Sequence, residues 1–200
     1  MTTTLVYVGA FHGHSAVSYL DKHDRAILVE PNPSHAEFLR ERFHGYKGVE
    51  IVEAAVSPAN GEMMLYLYGP HGGSASVLQI TRESAAAFQL DPDAPAVRVR
   101  AIRLDEELQR RGVETIDTLV TDAQGMDLEV LVQLRPWLER GIRHIQCEVD
   151  ALGFRCYWSE RGNAIEDFDR FFASLPLPYC RVTEVCGSHI DCVWELEEMS

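Results

Sequence analysis

The sequence predicts an α/β protein with a mostly parallel sheet and helices on both faces. Three apolar runs stop at small or acidic residues, and they start at Val6 (VYVGAFHGHS), Ile27 (ILVEPNP) and Leu119 (LVTDAQGMD). Helix-like segments lie between them, and this alternation is typical of parallel sheets. The carboxyl ends of parallel strands meet at one edge, where ligands bind across the switch in strand order. We therefore expect the small and acidic residues at the ends of these three strands to form a ligand site.

The first strand, residues 5–8, leads into Gly9 and Gly13. Glycines there allow a tight turn and a close approach to a ligand. A helix beginning at Ser15 would point its first amide groups into the same crevice. The second strand ends at Glu30, and a carboxylate about twenty residues after the first glycine is placed to accept hydrogen bonds from ribose hydroxyls. The pattern predicts a nucleoside-containing cofactor.

The next segments predict a helix and a hairpin. Ser34 and Glu37 form a capping-box pattern, which opens a helix with Phe38, Leu39 and Phe43 on the sheet side. Residues 49–55 are predicted as the third strand, residues 58–61 as a turn, and residues 62–68 as a strand pairing beside it.

Residues 69–95 are the least regular part of the chain and are predicted to be a mobile lid or substrate loop. Gly72, Gly73, Ser74 and Ser76 are its expected hinge or substrate contacts. Because the first strand begins almost at Met1, the site's cover is expected from this loop, from the carboxyl-terminal segment or from another subunit of a homo-oligomer.

The second half continues the alternation. Strands are predicted at 97–102, 118–121 and 143–149, with Asp105 as the N-cap of a helix over 106–111 that Gly112 ends. An apolar stripe over 128–138 predicts a helix that Pro136 kinks or restarts. Asn163 and Glu166 form a second capping-box pattern. Two antiparallel strands, 179–186 and 190–196, are predicted to close the sheet through a turn at Gly187 and Ser188.

Length, composition and charge limit the domain organisation and the partners that the chain can have. Two hundred residues with 46% hydrophobic content predict one domain, residues 1–200, with an ample core. A net charge of −13 argues against nucleic acid as a partner, because phosphate contacts need clustered Lys and Arg. Neither a signal peptide nor a membrane-length apolar run is evident, so the expected location is the cytoplasm, with no membrane partner.

The five cysteines fall in the last part of the chain, at 147, 156, 180, 186 and 192. Without a secretion signal we interpret them as reduced, buried thiols. No spacing brings two cysteine ligands together, so no metal site is predicted.

Six motifs in order resemble the FkbM-type methyltransferases, which are S-adenosylmethionine-dependent enzymes of the class I, Rossmann-like fold. The resemblance spans about residues 5–150, and Asp191-Cys192-Val193-Trp194 resembles the family's last strand. The motifs are Val8-Gly9-Ala10-(x)2-Gly13, Val29-Glu30-Pro31-Asn32-Pro33, Ala54-Ala55-Val56-Ser57 with Asn60-Gly61-Glu62, Arg103-Leu104-Asp105, Asp122 to Leu131, and Glu148.

The resemblance implies a seven-stranded sheet with a carboxyl-terminal antiparallel hairpin and S-adenosyl-L-methionine as cofactor. It implies that the methionine part lies along Gly9, Ala10 and Gly13, and that Glu30 holds the ribose. The remaining residues that we assign to the cofactor are Tyr7, Ser15, Pro31, Asn32, Ala55, Val56 and Asp122.

Two positions depart from the family pattern where it touches the cofactor. Tyr7 stands where the family commonly has Asp, and Phe11 where it has Asn. The family's Lys two positions before Asp122 is replaced by Val120. A tyrosine supplies no charge to the cofactor's ammonium group, and Asp122 is the nearest replacement.

Methyl transfer needs a nucleophile in line with the sulfonium methyl, together with a base if that nucleophile is a hydroxyl. We expect Asp122 to act as a polar anchor at the transfer point. His12 or His14 is the expected base, because a histidine titrates near neutral pH. Ser74, Ser76, Gln124 and Glu148 are the expected acceptor contacts.

Three functions remain open on the sequence. The first is methyl transfer to a hydroxyl of a small metabolite, a sugar or a polyketide-type natural product. The second is a catalytically impaired module that binds a partner protein, which the substitutions at Tyr7 and Val120 favour. The third is a nicotinamide-dependent oxidoreductase, which ranks last because the chain lacks a Gly-x-Gly-x-x-Gly motif.

Overall fold

The computed structural model describes residues 2–150, 156–157, 162–182 and 189–197. The strands are β1 (Thr4–Val8), β2 (Arg25–Glu30), β3 (Val49–Glu53), β4 (Ala55–Val56), β5 (Gly61–Tyr66), β6 (Ala96–Ile102), β7 (Thr118–Thr121), β8 (His144–Asp150), β9 (Tyr179–Arg181) and β10 (His189–Leu196). The helices are α1 (Val17–Leu20), α2 (Pro33–Arg42), α3 (Arg82–Ala87), α4 (Leu104–Arg110), α5 (Asp127–Gln133), α6 (Arg135–Leu138) and α7 (Ile165–Ala173).

The central sheet has seven strands in the order β3-β2-β1-β7-β8-β10-β9. The first five strands in this order pair in parallel, whereas β10 is antiparallel to both β8 and β9. The predicted mostly parallel sheet with antiparallel carboxyl-terminal strands is confirmed. The turn predicted at Gly187 and Ser188 lies outside the described residues.

The order reverses between β1 and β7, so the ends of β1, β2 and β7 border one crevice. Val8 lies beside Val29 of β2 on one side and beside Thr121 of β7 on the other. The residues that follow these strands therefore meet at this crevice.

A second sheet corrects the predicted hairpin. The strand predicted over 49–55 is interrupted at Ala54, and its two parts, β3 and β4, join different sheets. Strand β5 pairs antiparallel with β6, from Gly61 opposite Ala101 to Tyr66 opposite Ala96, and not with β3. Alternation of apolar residues predicts which side of a strand is buried but does not identify its partner.

Helices cover the central sheet on two faces. One apolar cluster joins residues of α4, α5, α6 and α7 to β1, β7, β8 and β10. A smaller cluster places Leu20 of α1 and Leu39 of α2 against Leu28 and Val120 on the other face. Within the described residues no helix has the length and apolar character needed to cross a membrane.

Helix α2 begins two residues before its predicted start. Asn32 is the N-cap, and its side-chain oxygen accepts a hydrogen bond from the Ser34 N–H at 3.1 Å. Pro33 occupies the first turn, where a missing N–H costs nothing. Phe38, predicted to lie against the sheet, is 41% exposed, whereas the adjacent Leu39, about 100° further round the helix, is buried.

Two other predicted caps are also wrong. Asp105 lies inside the first turn of α4, where it pairs with Arg103 at 2.6 Å. In α7 the N-cap is Ala164 rather than Asn163, and the Asp167 carboxylate accepts a hydrogen bond from the Ala164 N–H at 3.3 Å. Acidic residues in a first turn favour the helix without being its cap, because they interact with its dipole.

Two predicted helix boundaries are confirmed. Gly112 follows the end of α4 with φ of +69°, and Pro136 lies in the first turn of α6, directly after α5. Both residues act through the backbone, so their effect can be predicted without knowledge of the surrounding fold.

The segment 69–95 is more regular than predicted. It contains a 3₁₀ turn at Pro70–Gly72 and helix α3, whose N-cap is Thr81. A small apolar cluster lies beneath it, formed by Tyr68, Ile80, Ala85, Cys156 and Tyr157. The segment is thus a packed cover over the sheet edge rather than an irregular loop.

The cysteines only partly follow the prediction. Cys147, Cys156 and Cys192 are free and buried, whereas Cys180 is free but exposed. Cys186 lies outside the described residues.

Candidate functional site

Glu30, at the end of β2, is buried with 5% of its surface exposed. One carboxylate oxygen accepts a hydrogen bond from the Phe11 N–H and the other from the Asn32 N–H, both at 2.8 Å. Phe11 adopts a φ of +48° in the turn after β1. Each carboxylate oxygen has a second lone pair, so this arrangement fixes the side chain and leaves acceptor capacity for a ligand.

A narrow crevice opens beside Glu30, which we call the Glu30 crevice. It lies among the ends of β1, β2 and β7 and the segment 72–77, and has a volume of about 60 Å³. The predicted site residues that line it are Gly9, Glu30, Pro31, Ala55, Val56, Ser76, Asp122 and Gln124.

Much of the lining of the crevice is apolar. Val56, Leu65, Val77 and Met126 are among its lining residues. A slot with apolar walls and a few convergent polar groups is typical of small-molecule sites, which have volumes of roughly 300–1,000 Å³. The crevice, at about 60 Å³, is smaller than this in the structure.

The turn glycines have different roles. Gly9 has φ of +79°, and a Cβ there would lie 1.9 Å from the Asp122 carbonyl oxygen. This close approach brings the ends of β1 and β7 together at the crevice. Gly13, with φ of +70°, instead faces α2, where a Cβ would lie 2.6 Å from the Phe43 ring. Gly13 is therefore a packing residue and does not line the crevice.

Two residues assigned to the cofactor and one expected acceptor contact, Ser74, also lie away from the Glu30 crevice. Ala10 is buried in the cluster beneath α1 and α2, and Asn32 is the N-cap of α2. Ser74 does not line the crevice either, and its carbonyl oxygen accepts a hydrogen bond from the Tyr157 hydroxyl at 3.3 Å.

A second cavity, which we call the Tyr7 cavity, lies on the α1 side of the same sheet edge. Its volume is about 330 Å³. It is lined by Tyr7, Ser15, Ser18, Tyr19, Val120, Thr121, Asp122, Gln146 and Asp191. Asp122 lines both this cavity and the Glu30 crevice, so it lies where the two spaces meet.

Gln124 connects two carboxyl groups at this meeting point. Its amide nitrogen donates to Asp122 Oδ1 at 2.7 Å and to Glu148 Oε2 at 2.8 Å. The Tyr157 hydroxyl donates to Gln124 Oε1 at 2.8 Å, and Ser76 Oγ donates to the Gln124 carbonyl oxygen at 2.7 Å. These contacts hold Gln124 in its positive-φ conformation, +49°, and fix the two carboxyl groups.

The two carboxyl groups hold their protons to unusually high pH. Burial raises the pKa of Asp122 and raises that of Glu148 well above its usual range, and the nearby Asp122 charge raises the pKa of Glu148 further. Two carboxylates this close cannot both ionise easily, so they titrate as a pair. The pair can retain one proton while its other member is ionised.

His12 and His14 do not reach this pair. The His12 ring stacks on Phe11 at 3.9 Å between centroids, and His14 is exposed, with Nδ1 3.2 Å from Arg42 Nη1. Burial and the nearby His35 lower the pKa of His12. Neither histidine lines the Glu30 crevice or the Tyr7 cavity, so the geometry does not support either as the base.

Sequence reasoning missed two site residues. His35 lines the Glu30 crevice, with Nδ1 3.6 Å from Glu30 Oε1 and Nε2 2.9 Å from the His71 carbonyl oxygen. Tyr157 orients Gln124. No local pattern marks either residue, because each reaches the site only through tertiary packing. Among the described residues no three His, Cys, Asp or Glu side chains converge to hold a metal ion.

The strand order, the buried carboxylate at the end of β2 and the crevice at the reversal of strand order together define a class I, Rossmann-like methyltransferase fold. The model of the methyltransferase FkbM domain matches residues 8–183. The chain belongs to this family, and membership implies S-adenosylmethionine as the methyl donor.

Solved structures show the same fold. Methyltransferase FkbM from Methylobacillus flagellatus KT is similar with a TM-score of 0.59 and 11% identity, over 97% of this chain and 43% of that one. An rRNA methylase from Streptococcus thermophilus is similar with a TM-score of 0.52 and 9% identity, over 98% and 87% of the chains. A protein from Streptococcus mutans, crystallised in complex with SAH, has a TM-score of 0.50 and 9% identity, over 96% and 88%.

The chain thus spans less than half the length of the Methylobacillus protein. Comparison of the sequence with curated proteins finds no match.

Proposed function

We propose that this chain transfers the methyl group of S-adenosylmethionine to a hydroxyl group of a small metabolite, a sugar or a polyketide-type natural product. The observation that carries the proposal is the Glu30 carboxylate, which lines the crevice and is held there by two backbone N–H groups, one on each oxygen. When bound, the cofactor supplies an electrophilic methyl group on a sulfonium.

The chemistry of the Glu30 crevice fits this cofactor. Glu30 can accept hydrogen bonds from both ribose hydroxyls, and the apolar wall formed by Val56, Leu65 and Met126 suits the adenine ring. Asp122 also lines the crevice, and the charge of the Asp122–Glu148 pair, when one member is ionised, complements a sulfonium cation. The segment 72–77 borders the crevice and belongs to the loop 69–95 that we predicted to be mobile, and its outward movement would admit the cofactor.

Asp122 also offsets the loss of an acid at Tyr7. Tyr7 is buried, and the charge of Asp122 is near enough to contribute to the raised pKa of its hydroxyl. A carboxyl group at the end of β7 can therefore bind a cofactor ammonium group that Tyr7 cannot neutralise. This favours a working enzyme over an impaired, partner-binding module.

The Asp122–Glu148 pair replaces the histidines as the proposed base. Gln124 holds both carboxyl groups, and Asp122 borders the cavities on both sides of the sheet edge. An acceptor hydroxyl beside Asp122 could pass its proton to the ionised member of the pair as the new oxygen–carbon bond forms. Burial raises the pKa of both groups, which makes the ionised member of the pair a stronger base than an exposed carboxylate.

Calorimetric titration with S-adenosylhomocysteine tests the cofactor assignment directly. Glu30→Gln keeps the size of the side chain but removes its charge and one acceptor. We expect it to weaken binding about tenfold to a hundredfold, since hydrogen bonds to charged groups contribute about 1.5–3 kcal/mol.

The matched control is Glu53→Gln, which lies opposite Glu30 in the β2–β3 register but pairs with Arg40 at the surface. It should bind the cofactor product like the wild type. No heat from the wild-type protein would refute the proposal and favour the partner-binding module.

A further inference from the structure

Residues 70–73, which we call the covering turn, pack on the start of helix α2 beside the Glu30 crevice. Gly72 is buried there, and a Cβ on it would lie 3.3 Å from Asn32 Nδ2 and 3.7 Å from His35 Cε1. Gly72 and Gly73 both line the crevice. The covering turn therefore borders the space that we assign to the cofactor.

One side chain joins the covering turn to α2. His35 Nε2 lies 2.9 Å from the His71 carbonyl oxygen. Because a carbonyl oxygen only accepts, Nε2 carries the hydrogen of this bond. Within the part of the chain that the structure describes, the other hydrogen bonds of the covering turn stay inside residues 69–75. Among those residues the bond from His35 is thus the one that ties the turn to the helix.

His35 is itself firmly placed. It lies in the first turn of α2, whose N-cap Asn32 donates its backbone N–H to Glu30 at 2.8 Å. Its ring is buried and packs edge-on against the Phe11 ring, with 4.6 Å between the centroids. Its Nδ1 lies 3.6 Å from Glu30 Oε1, which is too long for a hydrogen bond. The ring therefore holds the covering turn without occupying an acceptor position of Glu30.

The backbone of the covering turn is strained in this position. His71 has φ of +57°, which residues with a side chain rarely adopt, and Gly72 follows with φ of +70°. Strain of this kind persists only where surrounding contacts hold it, and it is common at binding sites and switches. The hydrogen bond to the His71 carbonyl oxygen is such a contact, and breaking it would release the strain.

We propose that His35 is the latch of the Glu30 crevice, and that its bond to the His71 carbonyl oxygen breaks whenever the cofactor enters or its product leaves. His35 is then a positioning residue, which acts on the cofactor through the covering turn. This inference rests on the proposed function, because it assigns the crevice to S-adenosylmethionine. Since the same bond opposes entry and release, it sets both rates and has little effect on affinity.

Surface plasmon resonance with S-adenosylhomocysteine over the immobilised protein measures the association and dissociation rates. His35→Phe keeps a ring against Phe11 but removes the donor. His35→Gln keeps a donor, because the glutamine amide nitrogen can take the place of Nε2. His44→Phe is the control, since His44 is exposed beyond the other end of α2 and does not line the crevice.

We expect His35→Phe to raise both rates about threefold to tenfold, the range that the loss of one hydrogen bond supports, and to leave the affinity nearly the same. His35→Gln should bring both rates back toward the wild-type values, and His44→Phe should not change them. Faster association is the decisive result, because structural damage to the site lowers affinity without speeding entry.

A second pair of variants tests the latch from the side of the covering turn. Gly72→Ala places a Cβ 3.3 Å from Asn32 Nδ2 at a φ of +70°, which disfavours the closed turn, so it should also raise both rates. Gly112→Ala has nearly the same φ, +69°, but its Cβ meets nothing within 4 Å. It controls for backbone strain alone and should bind at wild-type rates.

Two outcomes would overturn the inference while the proposed function stands. One is normal binding of S-adenosylhomocysteine with unchanged rates in His35→Phe and Gly72→Ala. The other is slower association in His35→Phe with a loss of affinity, which would make the ring a direct support of Glu30 rather than a latch. Failure of the wild type to bind S-adenosylhomocysteine would refute the proposed function, and the latch with it.

Discussion

At the scale of single residues, Gly13 connects the turn after β1 to helix α2. Its φ of +70° is strained for any residue with a side chain, and a Cβ would lie 2.6 Å from the Phe43 ring and 2.9 Å from Leu39. Both neighbours are buried, so they have little room to move. The requirement for glycine here comes from packing as well as from the backbone.

We expect Gly13→Ala to lower the free energy of unfolding by about 1–3 kcal/mol, since overpacking and the strained φ both act against it. Urea denaturation followed by circular dichroism measures the effect. Gly45→Ala is the control, because a Cβ there meets nothing within 4 Å. Equal stabilities for the two variants would contradict the packing argument.

Glu30 and the histidines show which residue roles can be predicted from sequence. The position of Glu30 beside the glycine turn was predicted from its distance to Gly9 along the chain, and the structure places it in the crevice. His12 and His14 lie in the same turn but their side chains point toward Phe11 and Arg42. Spacing along a chain predicts where a backbone lies, whereas side-chain direction depends on neighbours from other elements.

At the scale of elements, one carboxylate anchors helix α4. Glu107 accepts hydrogen bonds from Arg110 at 2.6 Å and Arg111 at 2.8 Å, and it pairs with Arg100 of β6 at 3.0 Å. Arg111 also pairs with Glu50 of β3 at 2.6 Å. The network ties the helix to both sheets.

The network predicts a stability loss in acid. Burial by itself raises the pKa of Glu107, but the hydrogen bonds from Arg110 and Arg111 outweigh it and lower that pKa from 4.5 to about 2. A carboxylate whose pKa is lower in the folded chain stabilises the fold above its unfolded pKa, and this contribution disappears as pH falls through the folded value. The window therefore lies between pH 4.5 and about 2.

Free energies of unfolding measured across this window should fall less steeply for Glu107→Gln than for the wild type. The variant should also be less stable at neutral pH, because its amide cannot replace the charge. Glu83→Gln, which removes an exposed carboxylate from α3, should follow the wild-type slope. Parallel slopes for Glu107→Gln and the wild type would exclude the network as a source of the acid sensitivity.

Some helix boundaries can be predicted from the sequence alone, whereas others depend on the surrounding structure. Gly112 and Pro136 end and restart helices through their own backbone restrictions, so their effects were predicted correctly. Ser34 and Asn163 matched a capping pattern but lie beside the actual caps, Asn32 and Ala164. Several residues near a helix start can cap it, and packing of the helix selects one of them.

At the scale of the whole molecule, the two sheets share one core. The large apolar cluster includes Val56 and Ile102 of the second sheet as well as Val8, Leu119 and Trp194 of the central sheet. Opening either sheet would expose part of this cluster. We therefore expect the chain to unfold as a single domain.

Urea unfolding followed by far-ultraviolet circular dichroism and by tryptophan fluorescence should give one coincident transition. Trp137 and Trp194 lie in the shared cluster and report on it. Saturating S-adenosylhomocysteine should move both curves together to higher urea, because a ligand that binds only the folded state stabilises all of it. Separate midpoints for the two signals would indicate two independently folding units.

The sequence by itself determined the α/β class, the parallel order of apolar strands, the turn glycines, the Glu30 carboxylate and the family resemblance. These features depend on local periodicity and on backbone restrictions, which short segments contain in full. Only the tertiary structure decided that β5 pairs with β6, that Asp122 and Glu148 meet through Gln124, and that His12 lies away from them. Those contacts join residues that are distant along the chain, and the balance of packing and burial over the whole fold selects them.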